Sequence, residues 1–463
     1  MENSASGQIQ QEANSSIKNE NTEIPVESRT LSGNENQNEQ LVIDIETMLR
    51  TSEIPVSDKC RIYRVPDHLR KWNGEAYTPH VISIGPYHHN KEKFQKMEKY
   101  KVRYFKSFMQ RAENEINLEN LVINIRKMED IIRPCYVDTV QLERDDFVKM
   151  IMLDATFILE LFLKDKSKEW TEDDPMLVET WLQDKVAGEL LLLENQLPFF
   201  VIKKIYHLAL PSYSNSLSLI QLTFDYFGHL NIHNKAPEGE IKHFTDLLRF
   251  FALPPHDKLP QRNPKDVFPK YSVTQLREAG VKFEVATQLR EGGVKFDVEP
   301  STCVLDLSFK EGVLKIPLLD FQDSTEVHVR NIMALEQCSY EINRYFTDFY
   351  LILDGLINTD KDVDLLSDKG IIVNSLGDNN AITSMINNLN RGIYRCNMNS
   401  NLYRLCEELN AFYEKPWQRW KALLRHEYFS TPWRAASTIA AILLLVLTLI
   451  QTVCSIIQIV PIA

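Results

Sequence analysis

Glycine is scarce in this chain: 15 of 463 residues, about half the usual share. That shortage weighs against folds that cradle phosphate in glycine-rich loops, and no G-x-x-x-x-G-K-[ST] or G-x-G-x-x-G run is present. H-E-x-x-H and G-x-S-x-G are missing too, which removes the common signatures of zinc proteases and serine hydrolases. The seven cysteines (Cys60, Cys135, Cys303, Cys338, Cys396, Cys406 and Cys454) include no C-x-x-C pair. Thiols so scattered suit neither a disulfide framework nor a cysteine-rich zinc module, and read as reduced, mostly core residues. Positive charge is also short: 52 Lys and Arg against 64 Asp and Glu leave −12, with a pI near 5.5. Broad nucleic-acid binding needs a basic surface to neutralise phosphates, so nucleic acid is not an expected partner. The start, Met1-Glu2-Asn3-Ser4, has neither the basic nor the apolar region of a secretory signal. The single N-x-S/T sequon, Asn14-Ser15-Ser16, falls in a polar tail. Both features favour a cytosolic body.

What is present is an ordinary globular composition, 44% hydrophobic and 25% charged. Residues 1–40 carry seven Glu and no aromatic residue, too little apolar surface to offset ordering entropy, and are expected to be disordered. Leu41 to Leu49 predicts a short amphipathic helix. Cys60–Pro66 and Ala76–Tyr87 are β-branched runs broken by Pro and Gly, which predicts short strands or extended loops. From Phe94 the spacing becomes helical: Met97, Tyr100, Lys101, Tyr104 and Phe108 recur at three and four, and Leu121–Ile132 and Asp146–Leu163 continue the pattern. Met150–Leu163 is apolar nearly all round but too short to span a bilayer, so it predicts a central core helix. Glu189–Ile202 predicts a second core helix, with Pro198 starting or kinking its latter half.

Residues 253–270 form a Pro-rich surface loop, after which apolar and polar residues alternate. Cys303–Pro317 alternates around Glu311-Gly312, a hairpin signal. Helices resume over Val327–Leu356 and Asn401–Leu424. The fold class that follows is mainly α with a small inserted β-sheet (α+β), plus one C-terminal transmembrane helix. The expected divisions are a polar tail at 1–40, a helical domain at 41–413, a basic-aromatic juxtamembrane segment at 414–434 and a membrane helix at 435–459. Within the domain, Val273–Val285 is repeated at once as Ala286–Val298 with ten of 13 positions identical. Two copies this short do not build a solenoid, and they read as a slippage duplication held in a surface loop.

Arg434 is the last charged side chain, and the 29 residues after it are long and apolar enough to cross a bilayer. Thr448 and Thr452 are tolerable there because a threonine hydroxyl can bond back to its own helix. Ahead of the segment lie five basic residues (Lys415, Arg419, Lys421, Arg425 and Arg434) against Glu414 and Glu427, with Trp417, Trp420, Trp433, Tyr428 and Phe429 among them. Basic residues and amphipathic rings suit the cytoplasmic border of an anchor. The expected partner is therefore the lipid bilayer. The expected location is a single-pass protein of the plasma membrane or endomembranes with its body in the cytosol.

Groups able to do chemistry are few. His229 and His233 lie at i and i+4 with His243 ten residues on, yet Asn231–Gly239 reads as a loop and no Glu stands between the histidines. His88-His89 could donate to a phosphate or a partner, and otherwise reads as a pair of turn histidines. Asp154 and Glu160, with Glu194-Asn195-Gln196, could form a carboxylate pair, or could simply tie core segments together. No catalytic, cofactor-binding or metal residue is assigned on these signals, and no cofactor is expected.

Several stretches resemble the plant family known as domain of unknown function 247, or uncharacterised protein family 0481. They include Ile62-Tyr63-Arg64-Val65-Pro66, Ile82-Ser83-Ile84-Gly85-Pro86-Tyr87-His88-His89 and Met97-Glu98-Lys99-Tyr100-Lys101. Leu192-Leu193-Glu194-Asn195-Gln196-Leu197-Pro198-Phe199-Phe200 and Ala334-Leu335-Glu336-Gln337-Cys338 follow in family order. The duplicated Leu-Arg-Glu-x-Gly-Val-Lys-Phe unit, expected once, is a departure. The resemblance implies a plant membrane-anchored protein of unassigned activity, with some grass relatives linked to self-incompatibility. The preferred expectation is a non-catalytic interaction or signalling protein with unidentified protein partners. The alternative is a hydrolase or metal-dependent enzyme using His229, His233, Asp154 or Glu194.

Overall fold

The computed structural model describes residues 39–47, 61–231, 235–236, 240–254, 259–286, 303, 306–339, 343–395, 397–424, 428 and 432–459. Residues 1–38 of the polar tail with its sequon, most of the second repeat copy, His233, Arg425, Glu427 and Phe429 lie outside the described residues. Residues 39–47 form a helix in a unit of their own.

The body is built around one helix. In α3 (Arg144–Ser167), residues from Phe147 to Lys164 are buried on nearly every side, as an all-apolar stretch requires. Packed against it are α1 (Gln95–Arg111), α2 (Leu118–Ile132), α5 (Phe199–Ala209) and α6 (Leu219–Tyr226), with α4 (Thr180–Glu189) ahead of α5 in the chain. Asn117 starts α2 by accepting the Asn120 amide, and Ser218 starts α6 in the same way from Gln221. Phe162 of α3 stacks on Tyr226 with ring centroids 4.3 Å apart and meets Phe244 at 5.8 Å, which ties α7 (Phe244–Ala252) into this core.

The second half of the body repeats the logic with shorter helices. A capping box between Ser272 and Gln275 opens α8 (Val273–Ala279), and Gly280, at φ 106, closes it. Then come β1 (Lys282–Val285), β2 (Ser308–Lys310), β3 (Val313–Ile316) and β4 (Leu319–Phe321), followed by α9 (Thr325–Cys338), α10 (Tyr345–Leu356), α11 (Asp360–Asp368), β5 (Ile372–Asn374), α12 (Asn379–Leu389), α13 (Ser400–Glu414) and α14 (Pro416–Leu423). The hairpin forms where alternation predicts it: Glu311 and Gly312 take φ 52 and 79, so β2 folds back antiparallel on β3 with Phe309 opposite Leu314. β1, from the first repeat copy, adds to β3 in parallel with Phe283 opposite Leu314. The single sheet expected is in fact two, since β4 pairs in parallel with β5.

The fold is thus mainly α with small sheets, and one further local expectation is corrected. Glu189–Ile202 is not one helix: α4 ends at Glu189 and α5 begins after Pro198. The Gln196 side-chain amide takes the Leu190 and Leu192 carbonyls at 2.6 and 2.7 Å, and Pro198 has no amide to continue a helical ladder. Of the two alternatives for 60–66 and 76–87, the extended loop holds within the described residues, with one isolated bridge from Ile62 to Tyr136.

At the C-terminal end, α15 runs from Pro432 to Ile459. Among the described residues it is the one helix long and apolar enough to cross a membrane, over the 23 residues Trp433–Ser455, and no part of that stretch is buried in the protein. Thr448 and Thr452 donate their hydroxyls to the carbonyls four residues back, at 2.8 and 2.7 Å, as their place in an apolar helix demands.

Candidate functional site

The irregular segment 62–88 has backbone amides with almost no strand partners, and buried amides left unpaired are costly. Side chains satisfy them instead. The Glu189 carboxylate accepts from the amides of His80, Val81 and Ile82 at 2.8–2.9 Å. Asn195 accepts from the Ile84 amide at 2.6 Å and donates to the Ile82 carbonyl at 3.2 Å. Asp154 of α3 takes the Gly85 amide at 2.8 Å, and Glu194 takes the Val65 amide at 2.7 Å. Asn331 of α9 closes the arrangement by accepting from Leu193 and donating to the Ala76 carbonyl. Glycine is required at Gly85, where φ is 73 and a Cβ would lie 2.4 Å from the Gln196 carbonyl oxygen.

At one end of this clamp four polar side chains form a chain that leads from the core to the surface. Glu194, 1% exposed, receives the Arg70 guanidinium and, at 3.0 Å, the His88 Nε2. His88 is buried, and its Nδ1 accepts the Lys91 ammonium at 2.7 Å. Asn90, at φ 62, supplies the left-handed turn that carries Lys91 back over His88. A carboxylate only accepts and an ammonium only donates, so His88 carries its proton on Nε2 and presents a bare Nδ1. Burial lowers the His88 pKa against the opposing hydrogen bond from Glu194, which keeps the ring neutral. Burial also pushes Glu194 up, but the bonds from His88, Arg70 and the Val65 amide together hold it below the usual carboxylate range. Lys91 is exposed as a residue, but partial burial of its amine, followed by the charge of Lys93, lowers its pKa. A proton can therefore be shared between an amine and an imidazole that a buried carboxylate orients.

Of the groups singled out in the sequence, His88 and Glu194 meet; among the described residues, Asp154, Glu160, His229 and His243 are not brought together with them. Asp154 faces Lys101 at 2.6 Å, Glu160 faces Arg111 at 3.0 Å, and Glu194 joins Arg70 and His88. Burial raises both Asp154 and Glu160, each against the pull of its cation. The carboxylates thus tie core segments together, each through a cation. His229 is exposed in a short turn, whereas His243 is buried and caps α7 through the Asp246 amide. Among the described residues, no three His, Cys, Asp or Glu side chains are placed to share a metal ion. Cys338 packs near the same cluster, but burial and the charge of Glu194 push its thiol up to about 12, which leaves it without nucleophilic character.

Sequence reasoning found His88 and Glu194 but missed Arg70 and Lys91. The available signal was the Asn90 turn, which sets a lysine three residues after a histidine.

No solved structure matches this chain. Two proteins of Arabidopsis thaliana are similar to it along most of their lengths. UPF0481 protein At3g47200 is 28% identical over 87% of this chain and 87% of its own. Putative UPF0481 protein At3g02645 is 24% identical over 84% of this chain and 89% of its own. Residues 62–447, which include the whole clamp and most of α15, match the family described as plant protein of unknown function, DUF247. The chain belongs to that family.

Proposed function

We propose that the protein is a non-catalytic interaction or signalling protein, held by α15 as a single span in the plasma membrane or an endomembrane, with its helical body in the cytosol. The observation that carries the reading is the state of α15: a core helix of this apolarity would be covered by the body, and none of Trp433–Ser455 is. Its border supports the same reading. Trp417, Trp420 and Trp433 are 77%, 65% and 86% exposed, which suits rings lodged among headgroups. Lys415, Arg419 and Arg434 beside them favour the cytoplasmic side. The non-catalytic part rests on Asp154, Glu160 and Glu194, each of which satisfies buried structural partners in a separate network. Deleting residues 435–463 should turn a carbonate-resistant membrane protein into a soluble one, and added protease should digest the body on sealed vesicles. A truncated chain that still pellets with membranes would overturn the single-anchor reading.

A further inference from the structure

The buried lysines Lys101 and Lys164 have structural explanations, but the exposed Lys91 has none. Lys101 and Lys164 pair with the buried carboxylates Asp154 and Asp174 at 2.6 and 2.7 Å. Lys91 stabilises nothing of that kind. Its amine is spent on a neutral imidazole, and a bare ring nitrogen facing an amine is the arrangement that activates a nucleophile. Three further cations surround it. Lys93 donates to the Pro79 carbonyl at 2.6 Å, Arg64 stands over the Tyr87 ring while paired to Asp138, and Arg70 is paired to Glu194. The charges that act most on the Lys91 amine are Lys93, Arg64 and Arg70 against Glu194, so an approaching anion is favoured.

We propose that Lys91 is a covalent acceptor for an anionic aldehyde, with His88 as its proton partner and Glu194 as the group that orients His88. Once the ammonium has released one proton to bulk water, the lone pair of Nζ attacks the carbonyl carbon, so the C–N bond forms as the carbonyl π pair moves to oxygen. His88 Nδ1 takes the proton that Nζ sheds. It returns that proton to the oxygen, which makes the carbinolamine hydroxyl. The nitrogen lone pair then forms C=N as the C–O bond breaks, and the remaining Nζ proton passes through Nδ1 to the departing hydroxide. The products are an imine on Lys91 and one water, and no oxidant or reductant is needed. The His88 Nε2 proton stays in its bond to Glu194 throughout. This is a stoichiometric site and does not depend on how the protein is anchored.

The test uses the full chain in nanodiscs, with pyridoxal 5′-phosphate as the probe, borohydride to trap imines and peptide mass spectrometry to read every lysine. Lys91 should label about a hundredfold faster or more than the exposed Lys99 and Lys127, the low side of what a positioned base contributes. Unphosphorylated pyridoxal, the same aldehyde without the anion, should lose most of that preference. His88→Gln keeps a donor for Glu194 and an acceptor for Lys91 but no basic nitrogen, and should bring Lys91 down to the rate of Lys99. If Lys91 labels no faster than Lys99 and Lys127 in the wild-type chain, the proposal fails, whatever the variant does. Equal preference with pyridoxal would overturn the anionic part of it.

Discussion

Lys101 Nζ lies 2.6 Å from the Asp154 carboxylate, and neither side chain reaches solvent. The same ammonium donates to the Ser83 carbonyl and, at 2.6 Å, to Glu98, while Asp154 holds the Gly85 amide. One buried cation thus joins α1, α3 and the clamped segment. Lys101→Met keeps the length of the stem but leaves Asp154 charged and unmatched. A buried pair broken on one side costs about 3–5 kcal/mol, and urea unfolding should show a loss of that size. A loss below about 1 kcal/mol, the scale of an exposed pair, would mean that water reaches the site.

Two glycines should respond in opposite directions to the same substitution. Gly85→Ala places a Cβ against the Gln196 carbonyl in a left-handed backbone, which costs about 1–3 kcal/mol in strain before the overlap is counted. Gly188 lies inside α4, and a Cβ there meets nothing within 4 Å. Gly188→Ala should therefore stabilise by about 0.4–1 kcal/mol through the unfolded chain. Thermal melts of the two variants check both signs together.

Helices with a clean three-and-four spacing are legible in the sequence. α1, α2 and α3 start within three residues of the positions the spacing indicates, because one apolar face against the core decides the first two and an apolar run on nearly every side decides α3. The hairpin was legible for a similar local reason, the Glu311-Gly312 turn. The clamp was not. Glu189 and Val81 stand 108 positions apart, and nothing in either stretch says that a carboxylate takes the place of a neighbouring strand. α12 and β5 escaped notice too, since a three-residue strand carries too little alternation to stand out and pairs with β4 far back in the chain.

His243 gives the body a sensitivity to acid. Burial lowers its pKa to about 4, with the Lys242 charge adding to burial and Asp246 opposing it, and its Nδ1 accepts the Asp246 amide at 3.3 Å. In the unfolded chain the ring takes a proton near pH 6.5, while in the folded chain it stays neutral until about pH 4. The unfolded state therefore binds more protons between those values. Stability is whole above about 6.5, falls as pH drops towards about 4, and levels below it, for a total of about 3 kcal/mol from this group. His243→Asn retains a side-chain oxygen for the cap and should flatten that part of the profile. An unchanged slope in melts across pH 4 to 7 would assign the sensitivity elsewhere.

The repeat allows a deletion with a definite outcome. β1 is drawn wholly from the first copy, and its pairing to β3 ends where the Ala286 amide donates to the Ile316 carbonyl at 2.7 Å. Removing Ala286–Val298 brings Glu299 into position 286, and any residue except proline supplies that amide. The connection from β1 to β2 becomes shorter, and loop closure changes by only about 0.6 kcal/mol per twofold change in length. The deleted chain should melt within a few degrees of the parent and keep the same urea slope. A fall of more than about 3 kcal/mol, the scale of losing buried packing, would show that the second copy contributes structure of its own and is more than slack in a loop.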